Sequence, residues 1–120
     1  MLPSTAMAKI DMRLVMDQDP HEIFALLRKH RTAYVIADTA GKWTLSEEVT
    51  ARFVYVRLHG SRVLYGSDYT EAELLAWAAR IRVWTGEGRD VYVYFDNDQH
   101  AYAPHDAVDL TRLVKGGGAI

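Results

Sequence analysis

Cysteine is absent from the 120 residues. This excludes disulfides, thiolate nucleophiles and cysteine-ligated zinc. The chain also lacks an excess of either charge. Its 14 Lys and Arg stand against 16 Asp and Glu, a net charge of −2, so no global field draws it to nucleic acid or to an anionic membrane. No apolar run reaches the length of a membrane span. The opening MLPSTAMAKIDMRLVM threads charges through its apolar residues and has no uninterrupted signal-peptide core. A soluble, cytoplasmic protein is the default expectation. With only three prolines and no low-complexity stretch, nothing resembles a linker, and the length suits one domain with a real core rather than two.

Helix and strand signals alternate along the chain. Lys9 to Met16 (KIDMRLVM) reads as a candidate strand. DPHEIFALLRKH reads as a helix: Asp19 caps it, Pro20 suits the first turn, and Ile23, Phe24, Leu26 and Leu27 form an apolar stripe. AYVIA, from Ala33 to Ala37, is a short strand, and Thr44 to Val49 is expected to form one helical turn or two. FVYVRLHG, from Phe53 to Gly60, is the strongest strand signal. Thr70-Glu71-Ala72-Glu73 is a capping box opening the longest helix, with Leu74, Trp77, Ala78, Ile81 and Trp84 at helical spacing and Gly86 and Gly88 at its end. VYVYF is the next strand, Pro104 is expected to begin a final helix, and the glycines near the terminus read as a frayed tail. This order implies an α/β fold with parallel strands and helices packed against them. Ligand sites in such folds lie at the carboxyl ends of the strands.

Polar residues gather at those ends. Alternation along FVYVRLH places Val54, Val56 and Leu58 on one face and Phe53, Tyr55, Arg57 and His59 on the other. In VYVYFDN it opposes Val91, Val93 and Phe95 to Tyr92, Tyr94 and Asp96. In AYVIAD, Tyr34, Ile36 and Asp38 share a face, taken as the same aromatic-then-charged face. Asp38, Arg57, His59 and Asp96 are therefore expected to converge. Arg57 cannot be neutralised and needs a carboxylate, Asp38 or Asp96, or an anionic ligand. His59 is a candidate proton carrier, with Asp38 and Asp96 orienting it. Asp96, Asn97 and Asp98 offer oxygen ligands, which makes a divalent metal the candidate cofactor. Asp38-Thr39-Ala40-Gly41-Lys42 lacks the first glycine and the spacing of a phosphate loop. Trp77 and Trp84 are core positions, and Tyr65 and Tyr69 candidates for a pocket rim. Arg80, Arg82 and Arg89 read as solvated surface.

The blocks IADTAGKW, FVYVRLHGS, LYGSDYTEAELLAWAARI and GRDVYVYFDNDQHAYAPHDA resemble the YecE-like domain-of-unknown-function family, from about Pro20 to Val114. The resemblance implies the C-terminal half of a TIM-type (β/α) barrel. Residues 1–16 match the family poorly, 17–115 form the partial barrel, and 116–120 are the tail. Matched to the family's pattern, Asp38, Arg57, His59, Asn97 and Asp98 fall on its polar strand-end positions. The sequence departs from that pattern with Asp96 where the family often has asparagine, and Ala101 where it has glycine.

These residues set out the functional expectations. One is a polar anion-binding site, with His59, Asp38 and Asp96 as catalytic groups and Arg57, Asn97 and Asp98 as ligand-binding groups, serving metal-assisted hydrolysis or isomerisation in a complete barrel. The alternative is a non-catalytic binding module or a self-associating remnant. The expected partners are a small anionic ligand and a second copy or a complementary half-barrel chain, with neither membrane nor nucleic acid among them.

Overall fold

The computed structural model describes residues 18–116, so the candidate strand Lys9–Met16 and the last four residues lie outside it. The elements are α1 (Pro20–Lys29), β1 (Val35–Asp38), β2 (Phe53–Leu58), α2 (Glu71–Gly86), β3 (Asp90–Phe95) and α3 (Tyr102–Gly116). The strands form one parallel sheet in the order β1-β2-β3.

Local chemistry explains where the helices begin and end. Asp19 caps α1 by accepting from His21 N–H at 2.9 Å, with Pro20 in the first turn. Of the predicted apolar stripe only Phe24 is buried, its ring edge-on to Tyr34 at 5.1 Å, and Leu26 is half-exposed. The capping box at α2 is complete: Glu73 N–H donates to Thr70 Oγ1 at 3.2 Å, and Thr70 N–H donates to Glu73 Oε2 at 2.7 Å. The helix closes in a Schellman arrangement. Gly88, at φ +81, lets Arg89 N–H reach back to Trp84 O at 3.1 Å and its own N–H to Thr85 O at 3.0 Å. α3 starts at Tyr102, two residues before the expected Pro104. Proline fits there because first-turn N–H groups have no acceptor within the helix.

The core lies on one side of the sheet. Ile36, Val54, Val56 and Leu58 pack against Leu74, Trp77, Ala78, Ile81 and Trp84 of α2 and Leu110 of α3, with Val91, Val93 and Phe95 beside them. Each large side chain so buried contributes roughly 1.5–3 kcal/mol. The opposite face of β2 and β3 carries Phe53, Tyr55, Arg57, Tyr92 and Tyr94, as alternation predicts.

Two expectations fail. Thr44–Val49 is not helical; it is a strap without regular secondary structure, held by ion pairs and by the Thr50 that follows it. Glu48 pairs with Arg28 of α1 and Glu47 with Arg80 of α2, each at 2.7 Å. Thr50 Oγ1 accepts from Tyr34 N–H at 2.8 Å and donates to Thr32 O at 2.6 Å. Local propensity over six residues cannot outweigh anchors to two helices and to the connection before β1. The phase of β1 is also inverted. Ile36 pairs in register with Val56 and is fully buried among the helix-side residues. Tyr34 packs on that side too, so neither lines the open face.

A buried polar strut joins α3 to the loop before α2. Asp106 Oδ2 accepts from Tyr69 N–H at 3.2 Å and from Asn97 Nδ2 at 2.7 Å, and Asn97 Nδ2 also donates to Ser67 O at 2.9 Å. Burial pushes the Asp106 carboxyl above the usual carboxylate range; the two hydrogen bonds oppose this and the nearby Asp68 and Asp109 add to it. The folded state therefore holds this proton more tightly than the unfolded chain does. The stabilising contribution is full below the ordinary carboxyl pKa of about 3.9 and is lost as pH rises through the raised folded value. Asp106→Asn keeps an acceptor oxygen and has no proton to lose. Its stability relative to the parent should rise as urea melts are moved from about pH 4 to about pH 7. A constant difference across that range would show that Asp106 does not titrate with folding.

Candidate functional site

On the open face, the carboxyl ends of β2 and β3 meet. The ladder continues past both strands: His59 N–H donates to Asp38 O at 2.9 Å and Asp96 N–H to Leu58 O at 3.0 Å. Alternation thus keeps Arg57 and His59 of the β2 end beside Asp96 of the β3 end. Arg57 Nη2 donates to Asp96 Oδ2 at 2.6 Å, and His59 Nδ1 lies against Asp96 Oδ1. One carboxylate serves two basic side chains. Arg57, Asp96 and His59 keep 34%, 24% and 12% of their side-chain surface exposed, enough to meet a ligand and too little for water to screen the contacts fully.

The loop after β2 walls this cluster. Gly60 has φ +113, and a Cβ there would stand 2.4 Å from Val63 O; no other residue fits. Ser67 Oγ ties the loop to itself, accepting from Arg62 and Val63 N–H, both at 3.1 Å, and donating to Val63 O at 3.2 Å. Tyr65, at φ 62, is held by its N–H to His59 O and by Gln99 N–H to its own carbonyl. Its ring meets His59 edge to face at 5.4 Å. Tyr65 is therefore half-exposed beside the cluster.

What the cluster offers is donors. Arg57 has five N–H groups and spends one of them on Asp96. Its Nε is buried and has no hydrogen-bond partner among the described residues. The Asp96 carboxylate lies against Nδ1 as an ion-pair contact without hydrogen-bond geometry, and Nε2 is the ring nitrogen not set against a carboxylate.

Three of the expected residues are not brought to the cluster. Asp38 pairs in register with Leu58, on the helix-covered side. Its Oδ2 accepts from Tyr69 O–H at 3.1 Å and its Oδ1 from Ala40 N–H at 3.3 Å. It opens instead onto a cleft of about 190 Å³ shared with Leu45, Glu73 and Trp77. Every residue from Ala33 to Ala37 is apolar or aromatic, so the sequence alone does not mark which face of β1 meets the core. Asn97 is fully buried in the strut to Asp106. Asp98 is exposed, its backbone oxygen accepting from Ala101 N–H at 3.0 Å. Among the described residues, no three His, Asp or Glu side chains come together as a metal site.

Tyr69 and Asp106 carry more of the local architecture than the sequence suggested. Tyr69 is 4% exposed and sits inside rather than at a rim. Its hydroxyl accepts from Gly60 N–H at 3.0 Å while donating to Asp38. Burial, and then the Asp38 carboxylate, push its phenol far above the ordinary range, so it remains a donor. A signal for Asp106 existed: it falls on the same helical stripe as Ala103, Leu110 and Leu113, where a carboxylate must be partnered. The three arginines of the expected surface patch are each engaged separately. Arg80 pairs with Glu47 over the Trp77 ring, Arg82 donates to Leu113 O, and Arg89 to Ala51 O.

Two variants test this geometry. Asp96→Ala leaves both Arg57 and His59 without their partner, whereas Arg57→Met leaves Asp96 with His59. Asp96→Ala should therefore destabilise more, by about 1 kcal/mol after allowance for partial exposure, in denaturant melts. Equal losses would mean that the carboxylate is not shared. Ala101 holds φ 61, the left-handed conformation that glycine adopts freely, so Ala101→Gly should stabilise the fold by about 0.5–1 kcal/mol. A fall in the melting midpoint would contradict this.

The family described as Protein of unknown function DUF72 matches residues 13–119. Among solved structures, a DUF72 family protein from Enterococcus faecalis superposes with a TM-score of 0.72 at 15% identity, over 81% of this chain and 43% of that one. A DUF72 family protein from Thermotoga maritima superposes with a TM-score of 0.72 at 21% identity, over 82% of this chain and 42% of that one. At such identities the likeness is one of fold, and the chain spans less than half the length of either structure. No curated protein matches the chain. A match over nearly the whole sequence, on a parallel α/β framework that both solved structures share, places this chain in the DUF72 family.

Proposed function

We propose that the chain carries a small-anion site with a proton carrier beside it, and that in a complete family fold this site acts on a polar, anionic small molecule. The observation that carries this reading is the shared carboxylate. Asp96 holds Arg57 and His59 side by side on the open face, with most of the guanidinium donors unspent. Arg57 binds the anion, His59 exchanges a proton through Nε2, and Asp96 fixes both. The reaction class that suits a guanidinium next to an oriented imidazole is proton transfer adjacent to a bound anion, as in isomerisation. Asp38, Asn97 and Asp98 have no part in this reading, and metal-assisted hydrolysis is not carried forward because too few donors cluster among the described residues.

A non-catalytic, self-associating module is the second reading. It is favoured by the half-exposed Tyr92 and Tyr94 and by the outer edge of β3, which no described strand pairs. No helix of the described residues is long and apolar enough to cross a membrane, and the net charge gives no reason to add nucleic acid.

Titration with inorganic phosphate and with acetate, followed by the His59 ring signals in NMR, tests the first reading. Saturable shifts are expected in the parent, with affinity at least about tenfold weaker in Arg57→Met. Unchanged affinity in that variant would sink the assignment of Arg57.

A further inference from the structure

The open face is not uniformly polar. Register sets Tyr55 beside Tyr92 and Arg57 beside Tyr94 on this side of the sheet. Tyr94 stacks on Tyr55 with centroids 5.3 Å apart and planes at 25°, and Phe53 meets Tyr92 edge-on at 6.0 Å. Tyr55, in the centre, is 3% exposed, whereas Tyr94 is 50% and Tyr92 42% exposed. An aromatic platform thus runs directly into the donor cluster. Neighbouring strands lie about 4.8 Å apart. Tyr94 and Arg57 are therefore lateral neighbours, close enough for one small molecule to touch both.

A bare ion would use Arg57 and ignore the platform. We infer that the ligand of this site is an anionic group carried on a planar ring, an aryl carboxylate or aryl phosphate. The ring lies against Tyr94 and the anionic group takes the unspent donors of Arg57. The inference rests on the anion-binding reading above and adds the class of molecule. Offset stacking supplies the preference for a ring, and the forked guanidinium supplies the preference for a planar or tetrahedral oxyanion. Asp96 disfavours an anion placed against it and the Arg57 Nε is buried, so the anionic group approaches the exposed end of the guanidinium on the side away from Asp96.

The probes are matched pairs: benzoate against acetate, and phenyl phosphate against inorganic phosphate. In the parent, the ring-bearing member of at least one pair should bind about five- to tenfold more tightly, and the pair that shows it distinguishes carboxylate from phosphate. Intermolecular NOEs should connect the probe ring to Tyr94. Tyr94→Leu should erase the ring preference and leave acetate and phosphate binding unchanged, which also shows that the variant is folded; Tyr94→Phe should retain the preference. If ring-bearing and plain anions bind equally to the parent, or if NOEs reach only other residues, the inference is wrong while the anion site stands. If no probe binds, both readings fall. A dimer in sedimentation that Tyr94→Lys dissociates would overturn the inference as well, because the platform would then be covered by a second copy.

Discussion

A strand paired on both sides retains one freedom, the choice of which face meets the helices, and β2 is such a strand. Once Val54, Val56 and Leu58 face α2, Tyr55, Arg57 and His59 have nowhere to go but the other side. Parallel register then carries the choice to β3, where Val91, Val93 and Phe95 follow the core and Tyr92, Tyr94 and Asp96 follow Arg57. A slip of one residue would bury a guanidinium under Trp77 and expose three aliphatic side chains. The cost of that slip holds the polar cluster where it is. The polar cluster is a by-product of packing on the reverse of the sheet.

Legibility in the sequence follows the same logic. β2 and β3 alternate between aliphatic and aromatic or charged residues, so their faces could be read directly. The capping box, the five buried positions of α2 and the glycine stop of that helix were equally plain, because each is a local signal with a local cause. β1 gave no such contrast. Tyr34 looked like the tyrosines of the other strands, yet Ile36 and Asp38 follow the core, and only register with β2 could show it. The strap from Thr44 to Val49 depends on Arg28, Arg80 and Tyr34, all distant in sequence. Asn97 stands between two aspartates, which suggests a ligand group. Its fate was decided by Asp106, nine residues on, which offers it an acceptor inside the fold.

At position 96 a carboxylate and an amide are not equivalent, and the contacts of Asp96 show why. An amide at this position could accept on one atom only, and would not bring a negative charge to both Arg57 and His59. With the carboxylate, the arginine is held without being used up, and the imidazole gains an ion-pair contact. The neighbouring Tyr65 is held in a backbone conformation uncommon for a tyrosine, which a loop accepts when several bonds determine it. Here those bonds come from His59, Gln99 and the Ser67 knot.

The edge of β3 that no described strand pairs also bears on self-association. VYVYF is a run of β-branched and aromatic residues with no charge and no proline, the composition from which cross-β stacks are built. It is bracketed by Arg89 and Asp90 before it and by Asp96 and Asp98 after it. In a stack of identical segments these would place like charges directly above one another at every layer, about 4.8 Å apart. The carboxylate that orients the histidine also guards the strand that bears it against growing into a fibril.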